Sequence, residues 1–237
     1  MQGRTSTGIV CIFGNCADPA KEAELNEWYV DMHIPDVTRP GIFPLCTRFE
    51  NAKATGDEDS PKLLAIYEAT WDDPAAAWAE NRKHTAPLRE QGRISPLMKS
   101  TMVGIFKNIG APAGAQGAKK TTGILAVMLD CADPAREDEF NAWYNDMHVP
   151  DVLGTGCYHS ATRYVNTGVT PDQPKYLAVY ETDRADPLGA LDELFGHLAD
   201  MAKRGRNFDS ITRRMIAGFA LTYSQADALA AAKVSSG

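Results

Sequence analysis

The same unusual twelve-residue string occurs twice in this chain of 237 residues. It reads NEWYVDMHIPDV at positions 26–37 and NAWYNDMHVPDV at positions 141–152. The likeness continues downstream, where Tyr67-Glu68 matches Tyr180-Glu181 and Asp73-Pro74 matches Asp186-Pro187. The offset between the copies falls from 115 positions at Trp28 and Trp143 to 113 at these later pairs. Self-similarity over so long a stretch indicates a duplicated structural unit.

Each copy is predicted to have the element order βαββαβ. In the first copy, the apolar run at 8–14 predicts a buried strand, and Asp18 followed by Pro19 predicts a capped helix start. Pro35 is predicted to stop that helix near His33. The order is the ferredoxin-like pattern, in which one face of a four-stranded sheet is left open. The predicted fold class is α+β, with two ferredoxin-like repeats packed sheet to sheet as a pseudo-symmetric dimeric α+β barrel.

The predicted organisation has four segments. Residues 1–109 form the first repeat and residues 121–223 the second. Residues 110–120 are rich in Gly, Ala and Pro and predict a flexible linker. Residues 224–237 form an Ala-rich tail that is predicted to be a short helix with a frayed end.

Composition excludes several functional classes. The net charge of −7 argues against nucleic-acid binding, which needs a basic surface. No apolar run reaches the length of a membrane span, and no signal-peptide pattern opens the chain, so a cytoplasmic protein is expected. The five cysteines include no CxxC pair, which argues against disulfides or a zinc ribbon. We expect a monomeric pseudo-dimer, or a homo-oligomer of it, that binds a small molecule.

The repeated string groups polar side chains on one helix face. Tyr29, His33 and Asp36 recur at i, i+4 and i+7, and their counterparts are Tyr144, His148 and Asp151. A histidine at a helix end beside an aspartate suits a general acid or base, with the helix dipole favouring the imidazolium. The alternative is that His-Pro-Asp merely stops the helix. These residues persist in both copies while their neighbours differ, which favours a functional role.

The string resembles the EthD-like branch of the dimeric α+β barrel superfamily, which carries an F-x-x-W-Y-x-x-H-x-P pattern. The matching residues are Leu25, Trp28, Tyr29, His33 and Pro35 in the first copy, and Phe140, Trp143, Tyr144, His148 and Pro150 in the second. Leu25 departs from the pattern. The resemblance implies small-molecule chemistry but chooses no reaction, because relatives include cofactor-free monooxygenases, cyclases, isomerases, lyases and haem peroxidases.

Other side chains are candidates for substrate contact. Arg48 and Arg163 would hold a substrate anion, or else pair with Glu68 and Glu181 across the sheet. Further predicted pocket residues are Trp28, Trp143, Tyr67, Tyr180 and His159. The second copy is more polar in its second strand and alone contains His159, so the active pocket is predicted there.

Two further histidines, His84 and His197, are expected at the surface of the second helix of each copy. Their alternative roles are a second base or an axial ligand of haem. No metal site is predicted, because HExxH and HxH patterns are missing.

The sequence therefore predicts a cofactor-independent enzyme. His148 or His33 would act as the acid or base, oriented by Asp151 or Asp36 and assisted by Tyr144 or Tyr29. The substrate would be apolar, aromatic or polyketide-like, and the reaction that of a lyase, dehydratase, isomerase or cyclase, in the interior of the barrel. The alternatives are a monooxygenase or haem peroxidase of the same fold, and a non-catalytic ligand-binding or stress-response protein.

Overall fold

A computed structural model describes residues 6–57, 60–110, 113–114, 119–168 and 172–235. The chain divides into two compact units of mixed α and β structure. The N-terminal unit contains residues 6–108 and 221–235, and the C-terminal unit contains residues 109–220.

The N-terminal unit has the predicted order of strands and helices. Its elements are β1 (Gly8–Cys16), α1 (Glu22–Trp28), α2 (Ile34–Thr38), β2 (Leu45–Glu50), β3 (Leu63–Ala69), α3 (Pro74–Thr85) and β4 (Met98–Asn108). The strands form an antiparallel sheet in the order β4-β1-β3-β2. Short 3₁₀ turns at Pro19–Lys21 and Ala86–Leu88 complete the unit.

The C-terminal unit repeats this arrangement. Its elements are β5 (Ala113–Gly114), β6 (Gly123–Cys131), α4 (Glu137–Trp143), α5 (Val149–Gly154), β7 (Ser160–Asn166), β8 (Tyr176–Thr182), α6 (Gly189–Lys203) and most of β9 (Ile211–Ser224). The order in its antiparallel sheet is β9-β6-β8-β7-β5. A 3₁₀ turn, Pro134–Arg136, precedes α4.

The helices of each unit cover one face of its sheet. Side chains alternate between faces along a strand, and the face that meets the helices carries the large aromatic residues of the core. In the C-terminal unit Tyr144 and Phe140 from the helix side pack with Tyr180 and Tyr176 from β8. In the N-terminal unit Tyr29 packs with Tyr67 and Phe43. The strand positions that alternate with these are buried as fully, since Phe13, Phe49, Phe106, Tyr164 and Phe219 are each at most 1% exposed, so both faces of each sheet are apolar and buried.

The sequence analysis predicted that the helix carrying the repeated string stops at the proline, and this prediction is wrong. The helix passes through a π-helical turn, Tyr29–His33, and continues as α2 to Thr38. The amide of Ile34 donates to the carbonyl oxygen of Tyr29, five residues earlier. Because this wider turn places Pro35 at the start of a new α-helical segment, the missing proline N–H disrupts no bond.

The C-terminal unit contains the same π turn at Tyr144–His148, followed by α5. The amide of Val149 donates to Tyr144 O. Because π turns are rare and concentrate at functional sites, their presence in both units draws attention to the segment that carries the histidines.

The predicted linker and tail differ from simple tethers. Ala113 and Gly114 form the short strand β5, which pairs with Ala161 and Ser160, while positions 111–112 and 115–118 lie outside the described residues. The tail is a helix, α7 (Gln225–Ser235), that joins the N-terminal unit.

No helix in the described ranges combines the length and apolar character of a membrane span.

Candidate functional site

Each unit has a pocket between its helices and its sheet, and both pockets are built from equivalent positions. The C-terminal pocket has a volume of about 390 Å³ and the N-terminal pocket about 510 Å³. The equivalent lining residues are Trp28, Tyr29, His33, Val37 and Tyr67 in the N-terminal pocket, and Trp143, Tyr144, His148, Val152 and Tyr180 in the C-terminal pocket. The sequence analysis expected a substrate in the interior between two sheets, whereas these pockets lie on the helix side of a single sheet.

Each pocket holds one imidazole of the repeated string in a fixed aromatic setting. His148 is stacked on Trp143 with ring centroids 4.9 Å apart and meets Tyr144 edge-on at 4.8 Å. His33 repeats this with Trp28 at 4.7 Å and Tyr29 at 4.8 Å. The indole is held in turn, because Trp143 Nε1 donates to Arg206 O and Trp28 Nε1 to Arg93 O, both at 3.0 Å.

Both imidazoles are neutral near pH 7. Burial lowers the pKa of His33 and of His148 to about 4, although the carboxylates of Asp36 and Asp151 act in the opposite direction. The expectation that a helix dipole would favour the imidazolium is wrong for two reasons. Neither histidine lies at a helix C-terminus, and removal from water disfavours the charged ring.

A pair of tyrosines lies beside each imidazole. In the C-terminal pocket the Tyr180 hydroxyl donates to the Tyr144 oxygen at 3.2 Å. Burial raises the pKa of both phenols, so both stay protonated. Because Tyr180 supplies the proton of their shared hydrogen bond, the Tyr144 O–H is free to donate to a bound oxygen.

The aspartates of the string are engaged by arginines. Asp151 accepts from Arg206 Nε and Nη2 at 2.5 and 2.7 Å, and Asp36 accepts from Arg93 Nε and Nη2 at 2.7 and 3.0 Å and also from Arg39. The Nδ1 atom of His33 has no hydrogen-bonding partner among the described residues. The aspartates therefore anchor α2 and α5 to the segments before β4 and β9, and act on the imidazoles through their charge.

Arg48 and Arg163 lie on the helix side of their sheets, but neither lines one of the two pockets. The Arg163 guanidinium stacks 4.2 Å from the Tyr144 ring centroid and donates to Asn141 and Asn145. Arg48 stacks at 4.2 Å over Tyr29 and donates to Asn26. Each arginine thus supports a pocket tyrosine from behind, through a cation–π contact.

The alternative cross-sheet ion pairs do not fit the strand register. Arg48 is opposite Ala65 and Arg163 opposite Ala178. Glu68 and Glu181 are an odd number of residues further along the same strands, which directs them to the other face of the sheet.

The remaining histidines lie outside both pockets. His159 precedes β7 and is half-buried, and neither of its ring nitrogens has a hydrogen-bonding partner in the part of the chain that the structure describes. His84 and His197 are exposed on α3 and α6, as expected, each 3.8 Å from the glutamate one turn earlier. His197 also lines a separate surface pocket of about 320 Å³, together with Asp151 and Arg206, outside the two pockets that hold His33 and His148.

Sequence reasoning missed the residues that make the two pockets different. At offset 113, apolar residues of the C-terminal pocket replace polar residues of the N-terminal pocket. The pairs are Leu194 for Asn81, Phe195 for Arg82, Leu198 for Thr85, Ala202 for Arg89 and Phe208 for Ser95. Comparison of the second helices of the two repeats contains this signal, whereas the sequence analysis compared the second strands.

One group of potential metal ligands lies on the C-terminal unit. Among the described residues Cys157, Glu193 and His197 have ligand atoms within 4.8 Å of one another. The Glu193 carboxylate is already paired with the Arg184 guanidinium. A cation bound at this group would compete with that guanidinium for the carboxylate.

No protein-family model matches the chain, and no curated protein matches its sequence. Solved structures do match. A monooxygenase-like protein from Fusobacterium nucleatum subsp. nucleatum has a TM-score of 0.55 at 8% identity, covering 93% of this chain and 95% of its own. A chlorite dismutase-like protein has a TM-score of 0.57 at 12% identity, with 92% and 96% covered.

An anthrone oxidase-like protein has a TM-score of 0.50 at 12% identity, with 95% of each chain covered. The chain shares its overall fold with these neighbours. At these identities the likeness shows the fold alone, because a superfamily fold carries many unrelated reactions.

Haem is the cofactor that the sequence analysis keeps as an alternative. The C-terminal cavity of about 390 Å³ and the N-terminal cavity of about 510 Å³ both lie within the range of roughly 300–1,000 Å³ for ligand pockets. Each cavity is lined by one imidazole, whose in-plane ring nitrogens are not engaged by its stacking on an indole face.

Proposed function

We propose that the chain is an enzyme that moves a proton on a compact, largely apolar, aromatic or polyketide-like substrate in the C-terminal pocket. The observation that carries this proposal is a neutral, half-buried imidazole beside a hydrogen-bonded tyrosine pair in a largely apolar cavity. A purely structural helix end would need neither the cavity nor the tyrosines. The EthD-like motif, and its repetition in two ferredoxin-like units, supports a tandem-duplicated member of that branch.

In this proposal His148 is the base. It removes a proton α to a carbonyl, and the electron pair of the broken C–H bond moves onto the carbonyl oxygen. The Tyr144 hydroxyl donates to that oxygen as its negative charge develops. The imidazolium then returns the proton to another carbon in an isomerase, or to a departing group in a lyase.

The low pKa of His148 narrows the substrate class. A base with a pKa of about 4 is weak, so the proton it removes must be acidic, as in 1,3-dicarbonyl or polyphenolic compounds. The apolar walls exclude water, which strengthens the attraction between the imidazolium and the substrate anion. Arg163, stacked behind Tyr144, favours hydrogen-bond donation by this phenol.

The sharpest test follows hydrogen–deuterium exchange at the α carbon of such compounds in D₂O by NMR, because exchange requires no net reaction. His148→Gln is expected to slow exchange by about 10²–10⁴-fold, the usual contribution of a general base. The matched control is His33→Gln, which makes the same change in the other unit and is expected to leave exchange within about twofold. If both single variants and the double variant exchanged the α proton as fast as wild type, the proposal would be ruled out.

The second candidate is a cofactor-free oxygenase, which the names of two neighbours favour. Its first step is the same proton removal, after which the substrate carbanion passes electrons to O₂. Oxygen consumption that depends on His148 would select this candidate, and exchange without oxygen consumption would select the first. A Soret band in the purified protein would instead indicate a haem enzyme.

A further inference from the structure

The N-terminal pocket carries the same imidazole, indole and tyrosine framework as the C-terminal pocket, but five of its other lining positions are polar. Asn81, Arg82, Thr85 and Arg89 come from α3 and the turn after it, and Ser95 precedes β4. In the C-terminal pocket the equivalent five positions are all apolar. Two pockets that share a framework and differ in wall chemistry bind different molecules.

Several buried polar atoms in this pocket are incompletely hydrogen-bonded. The hydroxyls of Tyr29 and Tyr67 interact with each other, as those of Tyr144 and Tyr180 do, and Tyr67 also interacts with Cys46, but within the described residues these contacts lack the geometry of a full hydrogen bond. Asn81 is fully buried, and although its Nδ2 donates to Val37 O at 3.0 Å, its Oδ1 accepts nothing. Buried polar groups are rarely left unpaired, since each costs about 1–3 kcal/mol. A ligand with hydroxyl or carbonyl groups would satisfy them.

The mouth of the pocket is positively charged. Arg82 and Arg89 are exposed and seven positions apart, and within the described part of the chain neither forms an ion pair. The nearby Glu80 is engaged by Lys83. In a protein with a net charge of −7, two exposed guanidinium groups that line one pocket without an ion pair among the described residues are a specific feature. Guanidinium groups bind carboxylates by two parallel hydrogen bonds.

We propose that the N-terminal pocket is a binding site for a small aromatic carboxylate, distinct from the substrate of the C-terminal pocket. The aromatic body lies among Trp28 and Trp78, and the carboxylate pairs with Arg82 and Arg89. A hydroxyl on the ring hydrogen-bonds to Asn81 Oδ1 and to the tyrosine hydroxyls. The proposal does not depend on catalysis in the C-terminal unit, because it concerns equilibrium binding in the other one.

The test uses isothermal titration of the full chain with benzoate, 4-hydroxybenzoate, phenol and inorganic phosphate. We expect 4-hydroxybenzoate to bind tightest, and phenol and phosphate to bind at least tenfold more weakly. Binding of phosphate as tight as that of 4-hydroxybenzoate would overturn the aromatic part of the proposal. Binding of phenol as tight as that of benzoate would overturn the carboxylate part.

The variants locate the site. Arg82→Phe with Arg89→Ala installs the residues of the C-terminal pocket and is expected to weaken binding at least tenfold. Tyr67→Phe is expected to remove the preference for 4-hydroxybenzoate over benzoate. Arg204→Ala, which removes an exposed arginine outside both of these pockets, and Phe195→Ala, at the C-terminal pocket, are expected to change affinity less than twofold. Unchanged affinity in the arginine double variant, with folding checked by circular dichroism, would overturn the proposal.

Discussion

At the scale of single residues, the two buried histidines connect packing with electrostatics. Each imidazole exchanges hydration for contact with an indole face and a phenol edge. The exchange is favourable only for the neutral ring, which is why the pKa falls. The same burial that prepares a neutral base therefore makes the folded state sensitive to acid.

We predict that stability falls as the pH is lowered from about 6.5 towards about 4. An unfolded histidine binds a proton with a pKa of 6.5, whereas the folded pKa of His33 and His148 is about 4. In this window the unfolded state binds more protons, so stability rises with pH. At pH 5 the loss is on the order of 2 kcal/mol for each histidine.

Urea unfolding at pH 7.5 and pH 5.0 measures this loss. The double variant His33→Gln/His148→Gln removes both groups and is expected to lose markedly less stability over the same interval. Wild type and double variant with the same pH dependence would show that other groups control acid unfolding.

Residue identity alone did not reveal which partners the charged side chains choose. The i, i+3 spacing of His148 and Asp151 made a direct contact plausible, and a distant residue, Arg206, occupies the carboxylate instead. Arg163 was expected against a substrate and is held under Tyr144 by two asparagines of the helix above it. The partner of a charged side chain depends on which loop packs over its helix. The residues next to it in the sequence do not determine that packing.

At the scale of elements, the π turn decides where the imidazole lies. Order and approximate bounds of strands and helices followed from alternation, capping residues and glycines, because these act locally. The continuation of the helix past Pro35 could not be predicted in this way, because a proline normally ends a helix. Here one wide turn in each unit admits the proline and lets the helix continue.

We predict that Pro150→Ala lowers activity at least tenfold, with stability changed by no more than about 1 kcal/mol. Alanine supplies the missing N–H and allows the segment to adopt regular α-helical bonding. A helical register differs by about 100° for each residue, so His148 would turn away from Trp143. The exchange assay and thermal unfolding measure the two effects.

Pro35→Ala makes the matched change in the N-terminal unit and is expected to leave the reaction within about twofold. If Pro150→Ala kept full activity while the protein remained folded, the π turn would have no part in placing the base.

At the scale of the whole molecule, the two copies of the repeated string lie in two units with the same element order and the same strand neighbours. The tail was harder to place. Composition indicated a helix but not its location, and α7 is fixed to the N-terminal unit by Gln225. Its Oε1 accepts from Cys46 N at 2.9 Å, and its Nε2 donates to Thr38 Oγ1 at 3.2 Å.

We predict that Gln225→Ala destabilises the protein by about 1–3 kcal/mol, because the Cys46 amide loses its acceptor in a partly buried place. Chemical unfolding monitored by tryptophan fluorescence measures the loss. Leu229→Ala, on the exposed surface of the same helix, is the control and is expected to cost less than about 0.5 kcal/mol. Equal effects of the two changes would mean that the tail is not anchored through this side chain.

The presence of two differently lined pockets in one polypeptide has a consequence for the cell. Separate genes for two such proteins would be expressed at independent levels and could be lost independently. Here translation always delivers one copy of each pocket, in a ratio of one to one, whatever the level of expression. Selection can therefore change the residues that line one pocket while the other pocket stays unchanged. It cannot change the ratio in which the two pockets are produced.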